Sequence, residues 1–283
     1  MKAVRLPRAA KRMMQRLLPE SVYGSLRAHA GRRLANRWLR DNGVFEIALK
    51  VADRFHYEVQ SGPFKGMKYT RSAVLSRHAI PSLIGQYERQ IYPALLAAAE
   101  EADVIIDVGH AEGYYAVGLT RMGKRVIAFD ADWHERRVCR AMAAANGVAD
   151  RITVRSWCSG QALRELTQGR RALIFSDIDG GELYLFTEDV IDSVRHCALI
   201  VEVHGANSEE NEKFVRRFRA SHEVEVLDHP SNPGGVELLS FLGDDALRMA
   251  TEYRPFQQWI VARPRAHAAA VANEAINVSA GVR

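Results

Sequence analysis

The stretch Asp103–Asp130, DVIIDVGHAEGYYAVGLTRMGKRVIAFD, constrains this chain more than any other. Val104–Val108 is an apolar run without polar alternation, the pattern of a strand covered on both faces. A turn with two glycines follows, Gly109-His110-Ala111-Glu112-Gly113. Glu112–Met122 then has helical character, and Arg125–Asp130 reads as a second strand closed by an acid. Strand, tight turn, helix and strand make one βαβ unit. Its helix N-terminus offers free N–H groups to a nucleotide-like ligand. Gly109 permits a sharp bend, and Gly113 lets the helix start close to the sheet. The spacing is GxxxG, whereas a dinucleotide fingerprint would be GxGxxG. Asp130 lies 17 residues beyond Gly113, where an acid can accept ribose hydroxyls or merely close a turn.

Alternation continues to the end of the patterned region. Helix is expected at Trp133–Asn146, with Gly147 as terminator, and strand at Ile152–Arg155. Gln161–Thr167 reads as helix, Ala172–Ile178 as strand, Glu182–Val194 as mostly helix and Ala198–His204 as strand. Ser208–Ala220 is a helix with Ser208 as its N-cap, and Glu223–Asp228 is a strand. A long connection with a helix at Asp244–Tyr253 leads to strand Trp259–Ala262, which suits an antiparallel terminal strand. The expected fold is α/β: a Rossmann-like open, mostly parallel seven-stranded sheet with an antiparallel terminal strand, plus an N-terminal helical and hairpin extension.

Upstream, Pro19 and Gly43 punctuate a helical pattern, Phe55–Tyr69 reads as a short hairpin or two, residues 70–82 as a linker, and Tyr87–Glu101 as a helix. The expected divisions are a basic helical arm at 1–54, hairpin and lead-in helix at 55–102, catalytic domain at 103–264 and a flexible tail at 265–283. The arm is basic: residues 1–40 carry eleven Lys/Arg against the single acid Glu20, so the remainder is net acidic by about 5 within a formal total of +5. Such an arm suits nucleic acid, anionic lipid, an acidic partner, a transit peptide, or no partner at all. No run approaches eighteen apolar residues. Cys139, Cys158 and Cys197 form no CxxC pair, which fits a reducing cytoplasm.

In open α/β sheets, ligands lie beyond the carboxyl ends of the strands. Those ends carry Asp107, Asp130, Ser156, Asp177, Glu202 and His204. Carboxylates so placed are solvated, paired or used. His204 is either the natural base near neutral pH or a structural histidine. Glu182 suits the first turn of a helix better than catalysis. Trp157 is a core residue or a base stacker, and Cys158 a small hydrophobe.

DVGHAEGYYAVG resembles the first motif of class I S-adenosylmethionine-dependent methyltransferases, and AFDAD the acidic second motif. IDGGELYLF followed by LIVEVH is similar to the FkbM-like branch, as are YERQIYP upstream and the closing QWIVARP. The resemblance covers roughly Phe55 to Pro264, and it departs at Ala111, where the family has a glycine. It implies S-adenosyl-L-methionine as cofactor. Asp107 would hold the turn or the amino group of the methionine part. Gly109, His110, Ala111, Glu112 and Gly113 would form the turn, and Asp130 would accept the ribose hydroxyls. Ala131, Asp132 and Trp133 would border the base, faced by Ser156, Trp157 and Cys158. Asp177, Glu202 and His204 would serve catalysis. An acid-rich rim suits a sulfonium cation better than a pyrophosphate. Asp177, Asp179 and His204 could instead bind a divalent metal, which is not favoured because no complete ligand set with clear spacing appears. The expected acceptor is a small-molecule or glycan hydroxyl. The alternatives are RNA modification through residues 1–40 and a non-catalytic nucleotide-binding protein.

Overall fold

The computed structural model describes residues 18–204, 207–230, 232–251 and 258–265. Most of the expected tail, and the first part of the basic arm, lie outside the described residues.

In chain order the elements are α1 (Glu20–Asp41), α2 (Val44–Arg54), α3 (Arg71–Val74), α4 (Ala79–Leu83), α5 (Tyr92–Glu101), β1 (Val104–Val108), α6 (Tyr114–Arg121), β2 (Val126–Phe129), α7 (Trp133–Ala145), β3 (Ile152–Arg155), α8 (Gly160–Thr167), β4 (Ala172–Ser176), α9 (Glu182–Leu185), α10 (Glu188–Ser193), β5 (Ala198–Val203), α11 (Ser208–Arg219), β6 (His222–Asp228), α12 (Asp245–Ala250) and β7 (Gln258–Pro264). The strands form one sheet in the order β3-β2-β1-β4-β5-β7-β6. Every pairing is parallel except those of β7, which runs antiparallel between β5 and β6. This is the expected open α/β sheet with an antiparallel final strand. The order reverses at β1 and β4, so a cleft opens beyond the ends of those two strands.

Alternate residues feed two cores. Ile105, Ala128, Leu173, Phe175, Ile200 and Trp259 face one layer, with α2, α4 and α6. Val104, Ile106, Val108, Phe129, Ile174 and Val201 face the other, with α8, α10 and α11. A central strand buried on both faces has no room for polar alternation, which is why β1 and β4 read as continuous apolar runs.

Several local expectations are corrected. The span 55–69 gives one isolated antiparallel bridge, Glu58 to Lys68, and is otherwise held by turns. Residues 70–82 are no plain linker: they form α3 and α4, and all of α4 is buried. The lead-in helix is broken, because Glu88 is left-handed at φ 52° and a 3-10 turn separates it from α5. Helix α11 is capped by Asn207, whose side chain accepts from Glu210 N, and not by Ser208. Among the described residues, no helix is long and apolar enough to cross a membrane.

Candidate active site at the strand ends

The turn after β1 is set by close backbone approach. Gly109 has φ 95°, and a Cβ there would lie 1.7 Å from the carbonyl oxygen of Asp177. Only glycine fits, and the turn after β1 therefore touches the segment after β4. Gly113 has φ 104° and begins α6 against Cys139. Ala111 also takes left-handed backbone, φ 46°, at the position where the family motif has glycine. Its amide donates to Asp130 Oδ2 at 3.0 Å, and the Asp132 amide donates to Asp130 Oδ1 at 2.7 Å. Burial raises the Asp130 carboxyl to about 7, against the pull of those two amides. His110 is buried with Nδ1 2.8 Å from Ala111 O, and burial lowers it to about 4, so the ring is neutral.

Asp107 stands apart. It is 1% exposed, and neither carboxylate oxygen has a formed hydrogen bond. Burial, then the charges of Asp130 and Asp177, push its carboxyl well above the usual range, and the Ala116 amide offsets this only in part. Glu112 is also buried, with the Tyr69 hydroxyl 3.4 Å from Oε1, and burial raises its carboxyl too.

Beyond β2 the expected base-side residues meet the N-terminal helix. Ser25 Oγ donates to Ala131 O at 2.7 Å. Arg32 Nε donates to Asp132 Oδ2 at 2.6 Å, and His29 Nδ1 is 3.4 Å from Oδ1. His29 stacks on Trp133 with centroids 5.7 Å apart. Gly24 lies so close to Trp157 that a Cβ would fall 2.1 Å from the indole ring. Asp132 caps α7 through the His134 amide at 2.9 Å. Burial works to raise the Asp132 carboxyl, but that amide and Arg32 hold it below the usual range. Helix α1 therefore packs on the segments that follow β2 and β3. Ser156 is exposed at the rim, Trp157 half-buried, and Cys158 buried with a thiol raised to about 12, which keeps it unreactive.

The ends of β4 and β5 bring together three residues expected to serve catalysis. His204 Nε2 is 3.1 Å from Glu202 Oε2 and 3.8 Å from Asp177 Oδ1, while Nδ1 is 3.3 Å from Glu182 Oε1. Glu182 and Glu202 are fully buried. Burial disfavours a charged ring, yet the two carboxylates outweigh it and raise His204 to about 11. An imidazole set between two buried carboxylates holds its proton more firmly than a free one, and in that form it donates. Glu182 stands in the first turn of α9, as expected, and is fully buried there. It accepts from the amides of Ile178 and Gly180 and faces His204.

Sequence reasoning missed Glu88. It is 1% exposed, receives the Tyr115 hydroxyl at 2.9 Å, and approaches Asp177 and Glu202. The ligand atoms of Glu88, Asp177 and Glu202 lie within 4.8 Å of one another, as do those of Asp177, Asp179 and His204. The first set, three carboxylates, has the oxygen-rich chemistry of a divalent cation ligand set; in the second, His204 would ligate only after giving up its proton. Glu88 belongs to the YERQIYP segment, so its place in a motif-like run was the available signal. Gly24, Ser25, His29 and Arg32 were also missed, and nothing but a glycine and a serine inside a basic helix marked them.

No protein-family model matches the sequence, and no curated protein matches it. Solved structures show low-level similarity. The O-methyltransferase from Bacillus cereus in complex with SAH is 12% identical over 90% of this chain and 97% of its own, with a TM-score of 0.44. The O-methyltransferase TomG from Streptomyces achromogenes, involved in tomaymycin synthesis and in complex with SAM, is 12% identical over 70% and 92%, at 0.45. The precorrin-6y C5,15-methyltransferase from Geobacter metallireducens is 17% identical over 64% and 90%, at 0.44. Similarity at this level says nothing of activity, and the fold stands on its own strand order.

Proposed function

We propose that the chain is a methyltransferase that uses S-adenosyl-L-methionine and acts on an acceptor hydroxyl of a small molecule or glycan. The observation that carries this is Asp107: a buried carboxylate with no formed hydrogen bond, at a glycine turn, flanked by Asp130 and Asp177. An anionic ligand would add to that repulsion, and a cationic one would relieve it. The motif resemblance to the FkbM-like branch supports the same donor.

The donor, when bound, supplies an electrophilic methyl group. Asp107 would meet the amino group of its methionine part, and Asp130 the ribose hydroxyls. Ala131, Asp132, Ser156, Trp157 and Cys158 would border the base. Asp177 touches both halves of the site, through Gly109 on one side and His204 on the other. It is the group to take the acceptor proton. His204, kept cationic by Glu182 and Glu202, would donate to the acceptor oxygen as negative charge develops there. The carboxylate set Glu88, Asp177 and Glu202 favours a second version, in which a divalent cation acidifies the hydroxyl.

The test is S-adenosylhomocysteine formation by the full chain, given methyl-labelled donor and a small-molecule cell fraction. Asp177→Asn is expected to lower turnover by about 10²–10⁴-fold while leaving donor affinity within about twofold. Full turnover in that variant would remove Asp177 from its role. Loss of activity with a chelator, restored by magnesium, would select the metal-assisted version.

A further inference from the structure

One face of α1 is engaged with the site, and the opposite face is built for something else. Val22, Leu26, Leu34 and Trp38 are 43%, 48%, 52% and 59% exposed. Together with Ala30 they recur at intervals of four, each about 40° round from the last, so Leu26, Ala30 and Leu34 share the outer face while Val22 and Trp38 stand at its two edges. The stripe they make runs about 24 Å at 1.5 Å per residue. Arg27 flanks it on one side, and Arg33, Arg37 and Arg40 on the other; all four are exposed and, among the described residues, make no ion pair. The inner face carries Gly24, Ser25, His29 and Arg32, which face Trp157, Ala131 and Asp132. The seventeen residues before Leu18 add Lys2, Arg5, Arg8, Lys11, Arg12 and Arg16 without an acid.

From this geometry we infer that the outer face of α1 docks on an anionic lipid surface. The chemistry separates this from the other occupants. A nucleic acid would use the arginines but leave three aliphatic side chains and an exposed tryptophan with nothing to bury against. A second copy would cover the stripe but bring the arginines of one copy against those of the other. An anionic bilayer takes both: apolar side chains enter the headgroup boundary, tryptophan sits at that level, and the arginines meet lipid phosphates. Docked this way, the helix lies between the bilayer and the β2–β3 end of the cleft. The inference goes beyond methyl transfer and does not depend on it.

The test is cosedimentation of the full chain with vesicles of phosphatidylcholine alone and of phosphatidylcholine mixed with phosphatidylglycerol. Binding is expected only with the mixed vesicles and should weaken as salt is raised. The triple variant Leu26→Glu, Leu34→Glu, Trp38→Glu should bind roughly tenfold or more weakly with an unchanged melting temperature, since all three side chains are exposed. Arg27→Gln, Arg33→Gln, Arg37→Gln and Arg40→Gln combined should reduce binding to the level of phosphatidylcholine alone. Absence of binding to mixed vesicles overturns the proposal, and so does equal binding by the triple variant. It is also overturned if sedimentation shows a dimer that the triple variant dissociates, or if the arginine variant loses RNA binding while keeping vesicle binding.

Discussion

The two halves of the cleft place acids at strand ends in the same way and resolve them differently. Over β1 and β2, the partners of the acids are mostly local: Asp130 is clasped by the amides of Ala111 and Asp132, and Asp132 caps its own helix and takes Arg32 from α1. Over β4 and β5 the acids meet one another and a single histidine, with Glu88 arriving from before α5. The first half is a turn that the nearby chain builds. The second is an assembly of distant segments, held by the charge on His204. A donor pocket can be specified by one βαβ unit, whereas an acceptor site draws on the whole topology.

The largest effect should come from breaking the second half at its cation. His204→Gln leaves Glu182 and Glu202 buried without it, which is expected to cost about 3–5 kcal/mol of stability by chemical denaturation. The sign with pH follows from the raised imidazole, about 11 in the fold against 6.5 in the unfolded chain. Its contribution is fully present below 6.5 and is lost as pH rises through about 11, so the gap between wild type and variant should narrow with alkalinity. A gap that widens, or a cost below about 1 kcal/mol, would show that His204 is not the cation holding this half.

A smaller effect separates the first half by titration. The Asp130 carboxyl ionises only as pH rises through about 7, and the ionised form is the better acceptor for ribose hydroxyls. S-adenosylhomocysteine affinity should therefore fall, approaching tenfold per pH unit, below about that pH. A flat affinity across neutral pH would sever Asp130 from the donor.

The smallest effect concerns the turn itself. Ala111 holds φ 46°, which costs a non-glycine residue about 1–2 kcal/mol. Glycine would relieve this and lose part of the gain to the entropy of the unfolded chain. Ala111→Gly is expected to stabilise by about 0.5 kcal/mol in a thermal melt. Destabilisation would mean that the methyl group packs usefully where the family motif has none.

These contrasts also explain what the sequence could disclose. The βαβ unit was legible because its signals are contiguous: an apolar run, glycines at two left-handed positions, a strand-end acid. The antiparallel β7 was legible from the long connection before it. The clasp on His204 was not, because burial of Glu182 and Glu202 depends on how α9 and β5 pack. Glu88 was hidden by its left-handed break, inside what the pattern reads as one helix from Tyr87. Helix α1 read as a basic arm with its partner left open, because its engaged face carries small and polar residues in place of an apolar seam.

The donor half is tested most directly by calorimetric titration of S-adenosylhomocysteine into the full chain, with NAD and the variant Asp130→Ala as controls. S-adenosylhomocysteine is expected to bind, NAD to give no binding heat, and Asp130→Ala to weaken the binding by roughly tenfold or more. Binding of NAD with S-adenosylhomocysteine silent, or unchanged affinity in Asp130→Ala, would contradict this assignment.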